Sequence, residues 1–219
     1  MEKGDVYEIE KSDPEIEVSF SIEQEVSRVN EALKRLAWYR ENYGDSNIRL
    51  PKGISDNSSP EDVVRAVQTE FAIESYGEMN DFVQEKWSEI SDGLNILNEI
   101  KGFSLLENYS VHLTKYGSGG SYNTKDGRVI INIETIRPKE KIVPTIVHEI
   151  IHIGIQYFIE KNEVKHWYKE RLVDLISEKY FPGIRRMQQI KEDIATVDSA
   201  FNQLFPDIDA ITKAIGEMK

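Results

Sequence analysis

Two histidines and a glutamate at short spacing are the residues of this chain best suited to chemistry. His148, Glu149 and His152 form an H-E-x-x-H pattern inside an apolar segment with helical character. On a helix, residues four positions apart lie on one face, so both imidazoles can reach the same metal ion. Glu149 borders that face and can accept a proton from a water molecule at the metal. The pattern predicts zinc-assisted hydrolysis, usually of a peptide bond.

The alternative is a chance match in a metal-free core helix. Such a helix would bury Glu149 beside His148 and His152, which is costly without a metal or other partners. We therefore expect a metal here. Zinc in a hydrolytic site takes three protein ligands and keeps one position open for water, so a third ligand must lie nearby.

The segment that directly follows the motif offers poor choices for this third ligand. A metzincin-type continuation needs Gly and His where Ile155 and Phe158 stand, so that arrangement is excluded. Glu160 and Glu163 compete, but on a straight helix Glu160 would lie about 12 Å beyond His152 and would project away.

The next helical segment offers better choices. Glu170-Arg171-Leu172-Val173-Asp174 reads E-x-x-x-D, and His166 lies four residues before Glu170 on the same helical face. His166 could be the ligand, with Glu170 supporting it, or it could stand at the rim and stabilise an oxyanion. Without a functional role, Glu170 and Asp174 would simply lie on a solvent-exposed face of this helix.

H-E-x-x-H followed by a helix bearing E-x-x-x-D resembles the gluzincin group of zinc metallopeptidases, over about residues 105–182. The resemblance implies that Glu170 joins His148 and His152 around one zinc ion, with Glu149 as general base. It also implies that Asp174 hydrogen-bonds a zinc-binding imidazole and fixes its orientation.

Composition narrows the range of functions. The 219 residues are 39% hydrophobic and 30% charged, which is ordinary for a soluble globular protein. A net charge of −12 argues against nucleic acid or an anionic membrane as the main partner, although Arg185-Arg186 could form a local basic patch. The absence of cysteine excludes disulfides and cysteine-ligated zinc.

We expect no secretory signal at the N-terminus, because the first eight residues are acidic and contain no apolar stretch. The most apolar stretch, residues 142–159, contains charged and polar residues and is slightly short for a bilayer. We expect a cytoplasmic protein with no membrane partner.

Pattern divides the chain into four parts that we expect to form one compact domain. They are an acidic N-terminus (1–20, mobile or an edge strand), N-terminal helices including a backing helix (21–104), a zincin-like core (105–183) and C-terminal helices (184–219). The predicted fold class is α+β and mainly helical, with a small antiparallel sheet packed on the backing helix and the H-E-x-x-H helix.

The spacing of apolar residues and the positions of glycine, proline and capping residues predict the helices and strands. Helices are predicted over 22–43, from Ser59 to about residue 100 with an interruption near Gly77, around the motif, and over 164–180, 184–204 and 208–218. Strands are predicted over 109–114 and 128–133, with an Asp126-Gly127 turn between them. The glycine-rich segment 116–122 either borders the cleft, aligning an extended peptide by strand addition, or is a flexible connection.

Three functions follow as hypotheses. The first is a zinc-dependent metallopeptidase acting on a peptide or protein substrate. The second is a zinc-binding regulatory or interaction protein of zincin fold with little peptidase activity. The third is a metal-free helical scaffold with an accidental motif. The presence of Glu149 favours the first, because a purely structural metal site needs no general base.

Overall fold

Helices make up most of the described chain. The structure is a computed structural model that describes residues 13–43, 48–136, 138–182, 190 and 193–217. The helices in the described ranges are α1 (Ile22–Lys34), α2 (Leu36–Tyr43), α3 (Pro60–Glu70), α4 (Ile73–Ser88), α5 (Ser91–Leu94), α6 (Ile142–Lys161), α7 (His166–Tyr180), α8 (Ala195–Leu204) and α9 (Ile208–Gly216). The fold class is α+β, as predicted.

The sheet is mixed, so the prediction of an antiparallel sheet is wrong. Its strands are β1 (Glu15–Ser19), β2 (Asn108–Thr114), β3 (Gly120–Asn123) and β4 (Arg128–Asn132), in the order β1-β2-β4-β3. β1 and β4 both run parallel to β2, and only β3 is antiparallel to its neighbour β4. β4 therefore takes the place beside β2, and the short strand β3 lies at the edge.

The β3–β4 hairpin explains this order. Its turn contains Asp126 and Gly127, as the sequence predicted, and Gly127 has a φ of +64° that a larger residue would rarely adopt. The hairpin turns the chain back, so β4 runs in the same direction as β2. Of the two alternatives for residues 1–20, the structure shows an edge strand at Glu15–Ser19, while residues 1–12 lie outside the described ranges.

Helix α6 lies in the centre of the core. It contacts β3 and β4 on one side, and α4, α7 and α9 elsewhere. Most of its side chains are buried, including every isoleucine and valine from Ile142 to Ile155. By length and apolar composition Lys139–Lys161 could cross a membrane, but 78% of its most apolar window is buried inside the fold, as in an ordinary core helix.

The N-terminal helices form a second, smaller apolar cluster. It contains Val29 of α1, Val63 and Val67 of α3, and Tyr116 of the β2–β3 loop. Ser59 caps α3 in a capping box with Asp62. The N-terminal helices thus pack against the loop that leads into β3.

Several predicted helix boundaries differ from the structure. The segment predicted over 22–43 breaks at Arg35 into α1 and α2. The next predicted helix breaks at residues 71–72, while Gly77 lies inside α4. The helix predicted over 184–204 is α8, which begins at Ala195, and Arg185-Arg186 lie outside the described ranges.

Candidate metal centre

Helix α6 brings the two motif histidines together. His148 and His152 lie one turn apart, and their Nε2 atoms are 3.1 Å from each other. Both side chains are buried, with 2% of each residue exposed. Because the Nε2 atoms of both rings face the same position, they could provide two ligands to one metal ion.

Helix α7 supplies the third donor. Glu170 Oε2 lies 3.3 Å from His152 Nε2 and 3.5 Å from His148 Nε2. In a tetrahedral zinc site with bonds of about 2.0–2.1 Å, ligand atoms are separated by roughly 3.3–3.4 Å. The three donor atoms therefore have the spacing of one face of such a tetrahedron. This buried group could hold a metal ion.

The electrostatics of the group suit a metal ligand set. Burial lowers the pKa of His152 to about 3, which keeps this imidazole neutral. Burial alone would raise the pKa of Glu170, but hydrogen bonds from both imidazoles and the charge of Lys169 hold it well below its usual value. A neutral imidazole and an ionised carboxylate are the forms that bind metals.

Asp174 lies one turn after Glu170 and faces the second nitrogen of a histidine. Its Oδ1 is 3.6 Å from His148 Nδ1, and only 10% of the Asp174 side chain is exposed. This is the side of the imidazole that a supporting carboxylate occupies in metal sites. At 3.6 Å the two atoms are neighbours but are too far apart for the hydrogen bond that the resemblance implies, so the supporting role of Asp174 stays a prediction.

His166 lies at the rim rather than in the donor group. Its Nδ1 is 3.7 Å from Glu170 Oε1, and 31% of its side chain is exposed. The ring of Trp38 on α2 meets it edge-on, with 5.9 Å between centroids. His166 therefore stands between Glu170 and a half-exposed aromatic side chain. Among the described residues, the donor group that could hold a metal contains Glu170 and not His166.

The other residues considered from the sequence lie elsewhere. Glu160 is exposed and accepts a hydrogen bond from Gln156, and Glu163 follows the end of α6. His112, the remaining histidine of the chain, is half-buried on β2.

Glu149 is buried against the edge strand. It is 4% exposed, and Gly120 of β3 lies so close that a Cβ atom there would be 2.3 Å from Glu149 Oε1. Part of the predicted glycine-rich segment thus borders the site directly. The strand provides the close backbone approach for which glycine is suited.

Two residues of the site were missed by the sequence analysis. Tyr122 stacks on His152, with ring centroids 4.8 Å apart and planes 10° from parallel. Lys169 donates a hydrogen bond to Tyr122 and lies 3.4 Å from Glu170 Oε1. One signal was present: Gly120 and Tyr122 are two positions apart, so they share a face of β3.

Comparison of this chain with known proteins identified no related protein. No family model matches the sequence, and no curated protein or solved structure matches the chain. What the structure shows is an α+β fold with a mixed sheet and a buried His148–His152–Glu170 group that could hold a metal ion.

Proposed function

We propose that this protein is a zinc-dependent metallopeptidase of gluzincin type with a zincin-like core. The observation that carries the proposal is the spacing of His148 Nε2, His152 Nε2 and Glu170 Oε2, which fits one face of a tetrahedron. The carboxylate Glu149 lies beside that group on the same helix, and a purely structural metal site has no need for it.

The residues would divide the reaction between them. Zinc would act as a Lewis acid on the scissile carbonyl and would lower the pKa of a water molecule. His148, His152 and Glu170 would hold the ion, and Asp174 would orient the His148 ring through Nδ1. Glu149 would accept the proton from the attacking water and deliver it to the leaving amine.

The edge strand supports a peptide or protein as the substrate class. β3 is hydrogen-bonded to β4 on one side, and its residues Gly120 and Tyr122 contact the candidate site. An extended peptide added to the other side of β3 would run alongside the buried group, with main-chain hydrogen bonds fixing its register. We therefore propose a peptide or protein substrate.

A zinc-binding regulatory protein is the second candidate, and burial is the observation that favours it. His148, His152, Glu149 and Glu170 are all 2–6% exposed. A site covered to this degree holds a metal without offering it to a substrate unless the covering elements open. Turnover on peptides separates the two functions.

The experiment measures zinc per chain in tag-free protein, together with cleavage of a peptide library. We expect about one zinc in the wild type, far less in Glu170→Ala, and one zinc but no turnover in Glu149→Gln. Glu178→Ala, on the exposed side of α7, and Glu140→Gln, just before α6, serve as matched controls.

The other outcomes each have a meaning. Zinc retained in Glu170→Ala would move the third ligand, and His166→Ala would be examined next. Zinc without any turnover in the wild type would favour the regulatory protein. A wild type that binds no zinc even after reconstitution would overturn the proposal and leave a helical scaffold.

A further inference from the structure

The two histidines of the candidate centre have different neighbours. The carboxylate of Asp174 faces His148 Nδ1 at 3.6 Å, a separation longer than a hydrogen bond. His152 Nδ1 is buried, and it has no hydrogen-bond partner within the described part of the chain. The aromatic ring of Tyr122 instead covers the face of the His152 ring, almost parallel to it. The orientation of His152 therefore depends on packing.

Tyr122 is itself held at its far end. Its hydroxyl donates to Gln156 Oε1 at 2.7 Å and accepts from Lys169 Nζ at 3.1 Å. Gln156 is on α6 one turn after His152, and Lys169 is on α7. The ring of Tyr122 is thus fixed by three elements: its own strand β3 and both helices that carry the donor group.

Lys169 contacts a particular oxygen of Glu170. Its Nζ lies 3.4 Å from Oε1, whereas the two imidazole Nε2 atoms face Oε2. Only 16% of the Lys169 side chain is exposed, and a buried ammonium needs such partners to offset its desolvation. The lysine therefore occupies one carboxylate oxygen and leaves the other for an ion.

We propose that Tyr122 and Lys169 are positioning residues of the metal centre, a proposal that rests on the proposed function. Tyr122 restricts rotation of the His152 ring, a torsion that is otherwise broad. Lys169 holds Glu170 so that Oε2 alone binds the ion, and it anchors Tyr122 at the same time. Through Tyr122 and Lys169, the edge strand β3 is connected to helix α6 and to Glu170 on α7.

Zinc affinity, measured by competition with a chelator, tests this arrangement. Tyr122→Leu removes the stacked ring, and we expect zinc binding to weaken about 10- to 100-fold, as for other supporting residues around metals. Tyr122→Phe keeps the ring and loses only the hydroxyl, so its affinity should stay much closer to that of the wild type. Lys169→Met should weaken binding about 10-fold, with partial rescue in Lys169→Arg.

The absorption spectrum of the Co²⁺-substituted protein gives a second readout, because it reports coordination geometry rather than stability. We expect an altered spectrum in Tyr122→Leu and Lys169→Met, and a spectrum near that of the wild type in Tyr122→Phe. The control variants are Tyr157→Leu on α6 and Lys179→Met on α7. Both change exposed residues and should leave zinc affinity and the spectrum unchanged.

The outcomes separate this proposal from the proposed function. A wild type that binds zinc, with Tyr122→Leu and Lys169→Met folded and unchanged in affinity and spectrum, overturns the positioning roles alone. A wild type that binds no zinc overturns both. If Tyr122→Leu fails to fold, the zinc affinities of Lys169→Met and Lys169→Arg test the proposal, and unchanged affinity in Lys169→Met overturns it.

Discussion

Gly120 and Glu149 are in such close contact that no side chain fits between them. A Cβ atom on Gly120 would lie 2.3 Å from Glu149 Oε1 and 2.8 Å from a methyl carbon of Thr145. The backbone of the edge strand therefore determines where the carboxylate of the proposed general base can lie. The strand that would align the substrate also positions the group that would move the proton.

Gly120→Ala should accordingly slow hydrolysis without removing the metal. The added methyl group must displace the Glu149 carboxylate, and a shift of about 1 Å in a reacting group can cost roughly 100-fold in rate. We expect kcat to fall by about that factor while zinc content stays near one per chain. Steady-state kinetics with elemental analysis of the same samples measures both.

Gly77→Ala is the matched control for this substitution. Gly77 lies inside α4, and no atom lies within 4 Å of a Cβ added there. Alanine should raise the free energy of unfolding by about 0.5–1 kcal/mol, because glycine is the poorer helix former. Equal activity of Gly120→Ala and the wild type would show that Glu149 tolerates displacement.

Asp174→Ala tests the support of His148. Removing the carboxylate that faces His148 Nδ1 leaves the tautomer and orientation of the ring less defined, so zinc affinity should fall about 10- to 100-fold. Asp174→Asn keeps an acceptor oxygen and should lose less. Chelator competition measures the affinities, with Glu178→Ala on the next turn of α7 as control. Unchanged affinity in Asp174→Ala would refute the supporting role.

The part of the candidate site that the sequence predicted is the part set by local geometry. The spacing of His148 and His152 on one helix fixes their relation before any tertiary structure is known. The same holds for Glu170 and Asp174, one turn apart on α7. The identity of the third donor was left open, with His166 as the main alternative, and the resemblance to gluzincins favoured Glu170.

Contacts between distant segments were not predictable in the same way. Tyr122 and Lys169 meet across 47 positions, and no periodicity in either segment indicates the partner. Strand pattern likewise predicted β2 and β4, but pairing direction depends on where the chain crosses over, so the mixed sheet was missed. The break at Arg35 has no glycine or proline to mark it.

Zinc removal should destabilise the protein. The ion would join α6 to α7, and a ligand present at about 1,000 times its dissociation constant adds roughly 4 kcal/mol to the free energy of unfolding. For a chain of this size that corresponds to about 10 °C in Tm. Thermal unfolding with zinc and with EDTA measures the shift. Glu170→Ala should show almost none, and an equal Tm for zinc-loaded and metal-free wild type would contradict the expectation.

A buried carboxylate in the N-terminal half gives a prediction independent of the metal. Glu25 of α1 is fully buried and accepts hydrogen bonds from the hydroxyls of Tyr76 and Thr114 and, at 2.8 Å, from the backbone N–H of Lys115. It thereby attaches the N-terminal helices to the loop that leads into β3. Burial raises the pKa of Glu25, although the three hydrogen bonds and the charge of Lys115 oppose the rise.

Glu25→Gln should preserve this attachment and remove the charge. The amide oxygen can accept from Tyr76 and Lys115, and the amide nitrogen can donate to the Thr114 hydroxyl, which is able to reverse its role. Glu25→Ala instead leaves buried donors without an acceptor and should cost about 2–4 kcal/mol of unfolding free energy. Urea unfolding at neutral pH distinguishes the two variants.

The pH dependence of the Glu25→Gln effect has a defined sign. Because the folded-state pKa of Glu25 is raised above 4.5, the folded chain binds its proton more tightly than the unfolded chain does. The resulting stabilisation is complete below pH 4.5 and is lost as pH rises through the folded-state pKa. Glutamine does not titrate, so the stability of Glu25→Gln relative to the wild type should increase from about pH 4.5 towards neutral pH. Urea unfolding of both proteins across that range measures the difference, and a difference that stays constant with pH would mean that Glu25 does not titrate with a raised pKa.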